Sequence, residues 1–425
     1  MNYIIGSGFS GLTVAYALYK KGIKSTVISP ADKIKRKNKS LLSLIFKKDG
    51  EILNNSLQLT NKIRKINKLS VKNCKYLISH LDGGQSNFWG GVIGNINDYD
   101  IKNYILKKRE FLKNSKEFKN LLRLLGINSK NFFYINNTRD PFFCEKKYDV
   151  SKKSTHNLKR FLKNKKVSFL NDSFVKKINA KTSTIEVYDF LKKKNKRIKF
   201  KNLFISCGPI ETSKLILNSF KNIRKIYLKE TQHFYALIKL KRDIKTRFFK
   251  INLNKINFSC QLYSFKNVLS LFFTSYFKNT DFKKKGRYFV AQCYLNQNCS
   301  GKIQISKKNN QIKILGINNK KFNKGKLIKK ISIFNKKNNH LEIKKVLFNQ
   351  IGASNHLGAS IPMTKNKFLP LGVDKYGRLN NTKNIFISDS SVLNEIDTSP
   401  ITFFSLNNIL RMILDNKKHK KDITK

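Results

Sequence analysis

The N-terminal run NYIIGSGFSGLTVAYALYKKGIKSTVIS constrains the fold more than any other stretch of the 425-residue chain. Tyr3 to Ile5 make a short apolar strand, and Gly6, Ser7, Gly8, Phe9, Ser10 and Gly11 follow as G-x-G-x-x-G. Leu12, Ala15 and Leu18 fall on one helical stripe, Gly22 closes that helix, and Lys24 to Ser29 make a second strand. Gly6 allows a tight turn, Gly8 lets a pyrophosphate approach the backbone, and Gly11 lets the helix pack close to the strand. The helix N-terminus then offers N–H groups and about half a positive charge to the phosphates. Between a strand and a helix, this spacing is a dinucleotide-binding fingerprint. The second strand ends in Ser29, where a carboxylate usually binds a ribose hydroxyl, and Asp32 comes three residues later. A hydroxyl makes that bond more weakly than a carboxylate does.

A second glycine-rich stretch, GGQSNFWGG at 83 to 91, holds four glycines and the only tryptophan, Trp89. Paired glycines let the backbone approach a neighbour that a Cβ would block. Between 98 and about 150 the chain reads as helical at first and then irregular, with another helix expected over Asp149 to Leu162. VSFLNDSFVKKINAKTSTIEVYDF alternates like paired strands, and LKKKNKRIKFK marks a hairpin. LFISCGPIETSKLIL then repeats the strand–turn–helix pattern, with a strand over Leu203 to Ser206, a break at Cys207 and Gly208, and a helix opened by Pro209.

From 221 to 350 strand-like runs dominate, including HFYALIKLK, RYFVAQCYL and GKIQISKKNNQIKIL, with one helix near Lys326 to Phe334. This segment is expected to form a separate mixed or antiparallel sheet. The last seventy residues carry His356 in the small-residue loop SNHLGASIPM, then a buried strand over Asn384 to Ser388 that ends in Asp389 and Ser390. A final helix follows, with Ser399 as its expected N-cap and Pro400 as its first residue. Phe403, Leu406, Ile409, Leu410 and Ile413 make its apolar face.

The net charge of +63 raises nucleic-acid binding as a rival function. The lysines are spread over the whole chain rather than gathered on one element, and no helix-turn-helix, zinc-finger or RNA-binding signature appears. No specific nucleic-acid partner is therefore expected, while weak association with an anionic membrane surface is. The six cysteines form no CxxC pair, so no metal site is expected. No run of 18 apolar residues suggests a transmembrane helix, and the expected compartment is the cytoplasm.

Taken in order, the N-terminal fingerprint, GGQSNFWGG, FISCGPIETSKLIL and HLGASIPM … NIFISDSSV … SPIT resemble the glucose–methanol–choline oxidoreductase family of flavoproteins, in its shorter bacterial branch. These segments cover about a third of the chain. The resemblance implies an α/β fold with a Rossmann-like FAD-binding domain assembled from discontinuous segments, plus a β-rich substrate domain of α+β type. It places the FAD-binding domain at 1–220, with a partly helical insertion at about 98–160. The substrate domain is then 221–350, and 351–425 returns to the FAD-binding domain.

The resemblance further implies that FAD is held by Gly6, Gly8, Phe9, Ser10, Gly11, Ser29, Gly84, Ser86, Asn87, Val175, Cys207, Gly208, Asp389, Ser390, Pro400, Ile401 and Thr402. Trp89 shapes the ring's surroundings or is a core aromatic. His356 matches the family's active-site histidine, and its ordinary alternative is a loop histidine bonded to backbone. The second family position, usually His or Asn, falls on Ser399, which is either catalytic or simply the helix cap. A hydroxyl there is not a comparable base. The implied activity is transfer of a hydride from an alcohol, a sugar or sugar-derived hydroxyl, to flavin N5, with oxygen, a quinone or a protein as acceptor. The rival readings are a related flavoenzyme with non-alcohol chemistry and a catalytically degraded flavin- or nucleotide-binding protein that acts through partners.

Overall fold

A computed structural model describes residues 1–30, 59–66, 68–76, 78–88, 105–126, 154–242, 248–253, 256–264, 287–354, 356–396, 398 and 401–415. Trp89, Ser399 and Pro400 lie outside the described residues.

Five parallel strands make the first sheet, in the order Ile385–Ile387, Asn202–Ile205, Asn2–Ile5, Ser25–Ile28 and Ser168–Leu170. A fully parallel sheet is covered on both faces, so its strands read as near-continuous apolar runs rather than alternating ones. NYII, NLFI and IFI fit that rule, and every residue of Asn202–Ile205 and Ile385–Ile387 is buried. Strands that begin at 2, 25, 168, 202 and 385 meet here, so distant segments of the chain share one sheet. The first helix, Phe9–Lys20, packs against the last, Thr402–Leu414.

Gly11 explains how closely the first helix sits. A Cβ on Gly11 would lie 1.9 Å from the Gly6 carbonyl oxygen, and one on Gly6 would lie 2.5 Å from the Ser206 carbonyl oxygen. Gly6 also adopts φ +110°, a conformation side-chain-bearing residues rarely take.

An antiparallel sheet follows, in the order Phe248–Asn252, Asn257–Ser264, Tyr288–Leu295, His233–Leu240 and Leu341–Phe348. Its strands alternate with period two, so each face has its own chemistry. Phe234, Ala236, Ile238, Phe258, Cys260, Ala291 and Cys293 form one face, a separate apolar core closed by Leu327 and Ile331 of the helix Lys324–Lys337. On the other face the register aligns His233 with Tyr294 and Ser259, and Tyr235 with Gln292 and Gln261. That polar face turns toward a cleft at the ends of the parallel strands, which Gln261, Gln292 and Tyr294 help to line.

Two smaller sheets complete the fold. A meander of Ser173–Asn179, Thr184–Asp189 and Lys194–Lys199 follows the last-added parallel strand. A mixed sheet runs Leu357–Gly358, Lys225–Glu230, Lys302–Lys308, Gln311–Ile317 and Leu69–Lys72.

The structure corrects several sequence expectations. The segment 221–350 does not build one separate sheet, because Lys225–Glu230 and the hairpin 302–317 join the mixed sheet and bury Ile226, Leu228, Ile303 and Ile314 in the main core. SFL at 168–170 is a parallel strand beside Thr26–Ile28 rather than part of a hairpin. The final helix is described over Thr402–Leu414 with Ile401 in its N-cap position, and the expected cap Ser399 and first residue Pro400 lie outside the described residues.

Candidate functional site

One cleft of about 320 Å³ runs between the ends of the parallel strands and the polar face of the antiparallel sheet. A ligand site outside the carboxyl ends of parallel strands is the general position for open α/β sheets. Three helices begin on this cleft: Phe9–Lys20, Pro209–Ser219 and Thr402–Leu414. None has a side-chain cap bond at its N-terminus. The first-turn N–H groups of a helix have no acceptor within the helix. Each N-terminus also carries about half a positive charge. At the Pro209–Ser219 end the Gly208 N–H is already taken by Asp389, so Phe9–Lys20 and Thr402–Leu414 are the ends that turn open N–H groups toward the cleft.

The glycine-rich loop supplies the close approach that its sequence suggested. Gly8 and Gly83 form a backbone bridge, and a Cβ on Gly84 would sit 3.4 Å from the Gly8 Cα. Gly83 and Gly84 take φ +87° and +58°. The 3₁₀ turn Gly84–Phe88 is pinned from within, since Ser86 Oγ donates to the Gly83 carbonyl at 2.7 Å and also shares a hydrogen bond with Thr155 Oγ1.

Of the residues expected to hold a cofactor, Gly6, Gly8, Phe9, Ser10, Gly84, Ser86, Val175, Cys207, Gly208, Asp389, Ser390, Ile401 and Thr402 line this cleft, and His356 lines it with them. A bulge between Val175 and Lys177 bends the meander strand beside it. Cys207 keeps its thiol protonated, because burial and then nearby Asp389 push it well above the usual range.

Others take different roles. Gly11 does not line the cleft and serves helix packing. Ser29 is fully buried, and its hydroxyl bonds Ser7 Oγ at 2.9 Å instead of reaching the cleft. Asn87 also lies off the lining; its side-chain amide donates to the Asp82 and Gly84 carbonyls, both at 2.9 Å, and so fixes the loop. Asp389 borders the cleft, but its oxygens accept from Gly208 N at 3.0 Å, Thr212 Oγ1 at 2.5 Å and Ser391 N at 2.9 Å. It ties the Gly208 turn to the last parallel strand. Ser390 Oγ donates to the Leu357 carbonyl at 2.8 Å, and Ala359 N donates back to the Ser390 carbonyl. Ser390 thus clamps the chain just after His356.

His356 stands on the C-terminal loop against the antiparallel sheet's polar face, its ring stacked on Tyr294. Its backbone N–H donates to Ser354 Oγ at 3.2 Å, and its carbonyl accepts from Thr231 N at 3.3 Å. The ring touches the cleft but is enclosed enough that burial lowers its pKa to about 4. Nδ1 is buried with no hydrogen-bond partner. A neutral ring with an unengaged nitrogen can accept a proton. The loop behind it is anchored by fully buried Glu230, whose two carboxylate oxygens accept from Gly352 N at 2.9 and 2.8 Å. Burial raises the Glu230 pKa to about 7.

Other cleft residues had no role assigned from the sequence, although Glu211 and Lys214 sit in the FISCGPIETSKLIL segment. His80, Glu211 and Lys214 form a buried charged group on the cleft wall, with Lys214 Nζ 2.7 Å and His80 Nε2 3.5 Å from Glu211 Oε1. Tyr76 OH donates to the same oxygen at 2.8 Å. Burial pushes the Glu211 carboxyl up, but Lys214 and then His80 outweigh it and hold the group well below the usual carboxylate range. Gln261, Gln292 and Tyr294 were marked only by polar residues at every second place in two strands.

Two nitrogens of His233, on the strand next to Tyr294, are also buried and unpartnered. Burial, and after it His356 and Lys75, lowers the His233 pKa to about 3. Among the described residues there is no group of His, Cys, Asp and Glu that could hold a metal ion.

The fold is shared with a solved structure, pyridoxine 4-oxidase from Mesorbium loti, at a TM-score of 0.56 and 11% sequence identity. The match covers 98% of this chain and 99% of that one. No protein-family model and no curated protein matches the sequence.

Proposed function

We propose that the chain is an FAD-dependent oxidoreductase that oxidises an alcohol, a sugar or sugar-derived hydroxyl, with His356 as the proton acceptor. The observation that carries the reading is the meeting of His356 with the uncapped N-termini of Phe9–Lys20 and Thr402–Leu414 and the Gly8–Gly84 contact on one cleft. The residues fit a dinucleotide flavin, because the Gly8–Gly84 backbone contact lies beside the opening turn of the first helix, whose N–H groups have no acceptor within the helix. The fold held in common with an oxidase supports an oxidoreductase.

In this reading the first helix N-terminus and the turns at Gly6–Gly8 and Gly84 hold the pyrophosphate. Val175, Cys207 and Gly208 border the adenosine half. The start of the last helix, at Ile401 and Thr402, stabilises negative charge on the ring. Bound flavin supplies the hydride acceptor. His356, neutral at physiological pH, takes the hydroxyl proton at a ring nitrogen as the C–H bond breaks. Such base help is typically worth roughly 10²–10⁴ in rate. Gln261, Gln292 and Tyr294 present hydrogen-bonding groups suited to a hydroxylated substrate. The 1–220 and 351–425 segments then serve the cofactor, and the antiparallel sheet within 221–350 serves the substrate.

The test is anaerobic. Purified protein is mixed with a panel of sugars and simple alcohols, and bleaching of the flavin's visible absorption is followed. One class should bleach it, and His356→Ala should slow that bleaching by about 10²-fold or more with flavin retained. A protein that holds flavin but is bleached by none of the panel, and is unchanged by His356→Ala, fits instead the degraded flavin-binding reading. Oxygen, a quinone and a protein acceptor are then compared for reoxidation.

A further inference from the structure

His356 does not stand alone over the cleft. The Tyr294 ring lies flat against it, with ring centroids 4.1 Å apart and planes 10° apart. That spacing leaves no room for water between the rings. Tyr294 is only 6% exposed, and it is aligned by sheet register with His233 on the adjacent strand. The His233 ring lies 5.9 Å from it at 48°, and packs edge-on against Tyr235 at 5.0 Å and 76°. The result is a row of rings across two neighbouring strands, ending on the imidazole of a loop. An imidazole is free to turn about its Cβ–Cγ bond unless packing stops it. A hydrogen bond to the second ring nitrogen usually fixes this orientation, but Nδ1 of His356 has none.

We propose that Tyr294 is the positioning residue of His356: its ring, backed by His233, sets the plane of the imidazole and seals one face from water. The proposal rests on the reading of His356 as proton acceptor, yet concerns the state of the ring itself. The titratable groups around the His356–Tyr294 pair are His233 from the sheet, Lys75 beside His233, and Glu230 behind the loop through Gly352. Asp389 borders the same cleft but is engaged by Gly208, Thr212 and Ser391. With the flat face covered, the ring stays desolvated and neutral.

The experiment is side-chain NMR of histidine-labelled protein as purified, with the His356 signal assigned by its loss in His356→Ala. In the wild type and in Tyr294→Phe, His356 is expected to remain neutral across about pH 5 to 8. In Tyr294→Leu, which opens the face to water, its midpoint should rise by about one unit or more, into that window. Should Tyr294→Leu not fold, Tyr294→Thr opens the same face with a smaller side chain. A folded Leu or Thr variant in which His356 still fails to titrate would overturn the proposal. So would a Tyr294→Phe protein that titrates like the Leu variant, because the hydroxyl rather than the ring would then be responsible. Neither result depends on bound flavin. Bleaching unaffected by His356→Ala would instead remove the proton-acceptor reading and leave the titration result standing.

Discussion

Replacing Lys214 with methionine probes the charged group on the cleft wall. Lys214 is 1% exposed, and its ammonium donates to Glu211 Oε1 at 2.7 Å and to Tyr76 OH at 3.1 Å. Removing it leaves the Glu211 carboxylate buried with Tyr76 OH at 2.8 Å and His80 at 3.5 Å. Breaking a buried pair from one side typically costs 3–5 kcal/mol, and the two remaining contacts put Lys214→Met near about 3 kcal/mol.

The cost depends on pH with a definite sign. In the native protein the folded Glu211 carboxyl is depressed, so its stabilising effect is present above the unfolded value and is lost as pH falls. In the variant the carboxyl is raised by burial, so the folded state gains a proton and the penalty shrinks as pH falls. The gap between the two proteins is therefore widest near about pH 7 and narrows toward about pH 5 and below. Equilibrium urea unfolding followed by circular dichroism, on reversibly unfolding samples, measures it. The double variant Glu211→Gln/Lys214→Met should recover most of the loss, because no charge is left unpaired. A single variant within about 0.5 kcal/mol of wild type near neutrality, or a gap that does not change with pH, would refute the reasoning.

Other expectations follow from the same contacts. Gly11→Ala places a Cβ 1.9 Å from the Gly6 carbonyl and should destabilise by about 1–3 kcal/mol, read from the urea midpoint. Asp389→Asn swaps one acceptor oxygen for a donor amide among three donors, and should cost about 1–3 kcal/mol and loosen the Gly208 turn, read as faster amide exchange there. His233 is held down to about 3 when folded against an ordinary 6.5, so the unfolded chain binds the proton first. Stability should fall as pH drops from 6.5 toward 3, and His233→Phe should flatten that slope in urea titrations. With His356 at about 4, kcat/KM for a bleaching substrate should hold steady down to about pH 5 and decline below it.

Much of the scaffold was legible because it depends on local chemistry. Gly6, Gly8 and Gly11, and later Gly208 and Pro209, mark strand–turn–helix units whose geometry demands those residues. Ser168–Leu170 was legible as strand-like within an alternating stretch, but not its place, since three residues do not say which strand they join and the partner is Thr26–Ile28. Ser29 and Asn87 were assigned by position in a pattern, yet each found a closer protein partner, Ser7 Oγ for one and the loop carbonyls for the other.

His233 had no motif around it, and its nearness to His356 arises from register with Tyr294, 61 positions along the chain. The buried His80–Glu211–Lys214 group was equally hidden, because it joins a segment near 80 to the helix after Pro209. What the sequence does carry of the antiparallel sheet is the alternation in HFYALIKL and YFVAQCYL, which separates a dry face from a polar one.

The most direct measurement of the central claim is the visible spectrum of the purified protein, with the cofactor released by heating and quantified. The account predicts a yellow protein that yields about one FAD per chain, with His356→Ala equally yellow and Gly8→Val colourless because its side chain fills the approach to Gly83 and Gly84. A colourless wild-type protein that takes up no FAD when the cofactor is added, or a Gly8→Val protein as yellow as the parent, would contradict it.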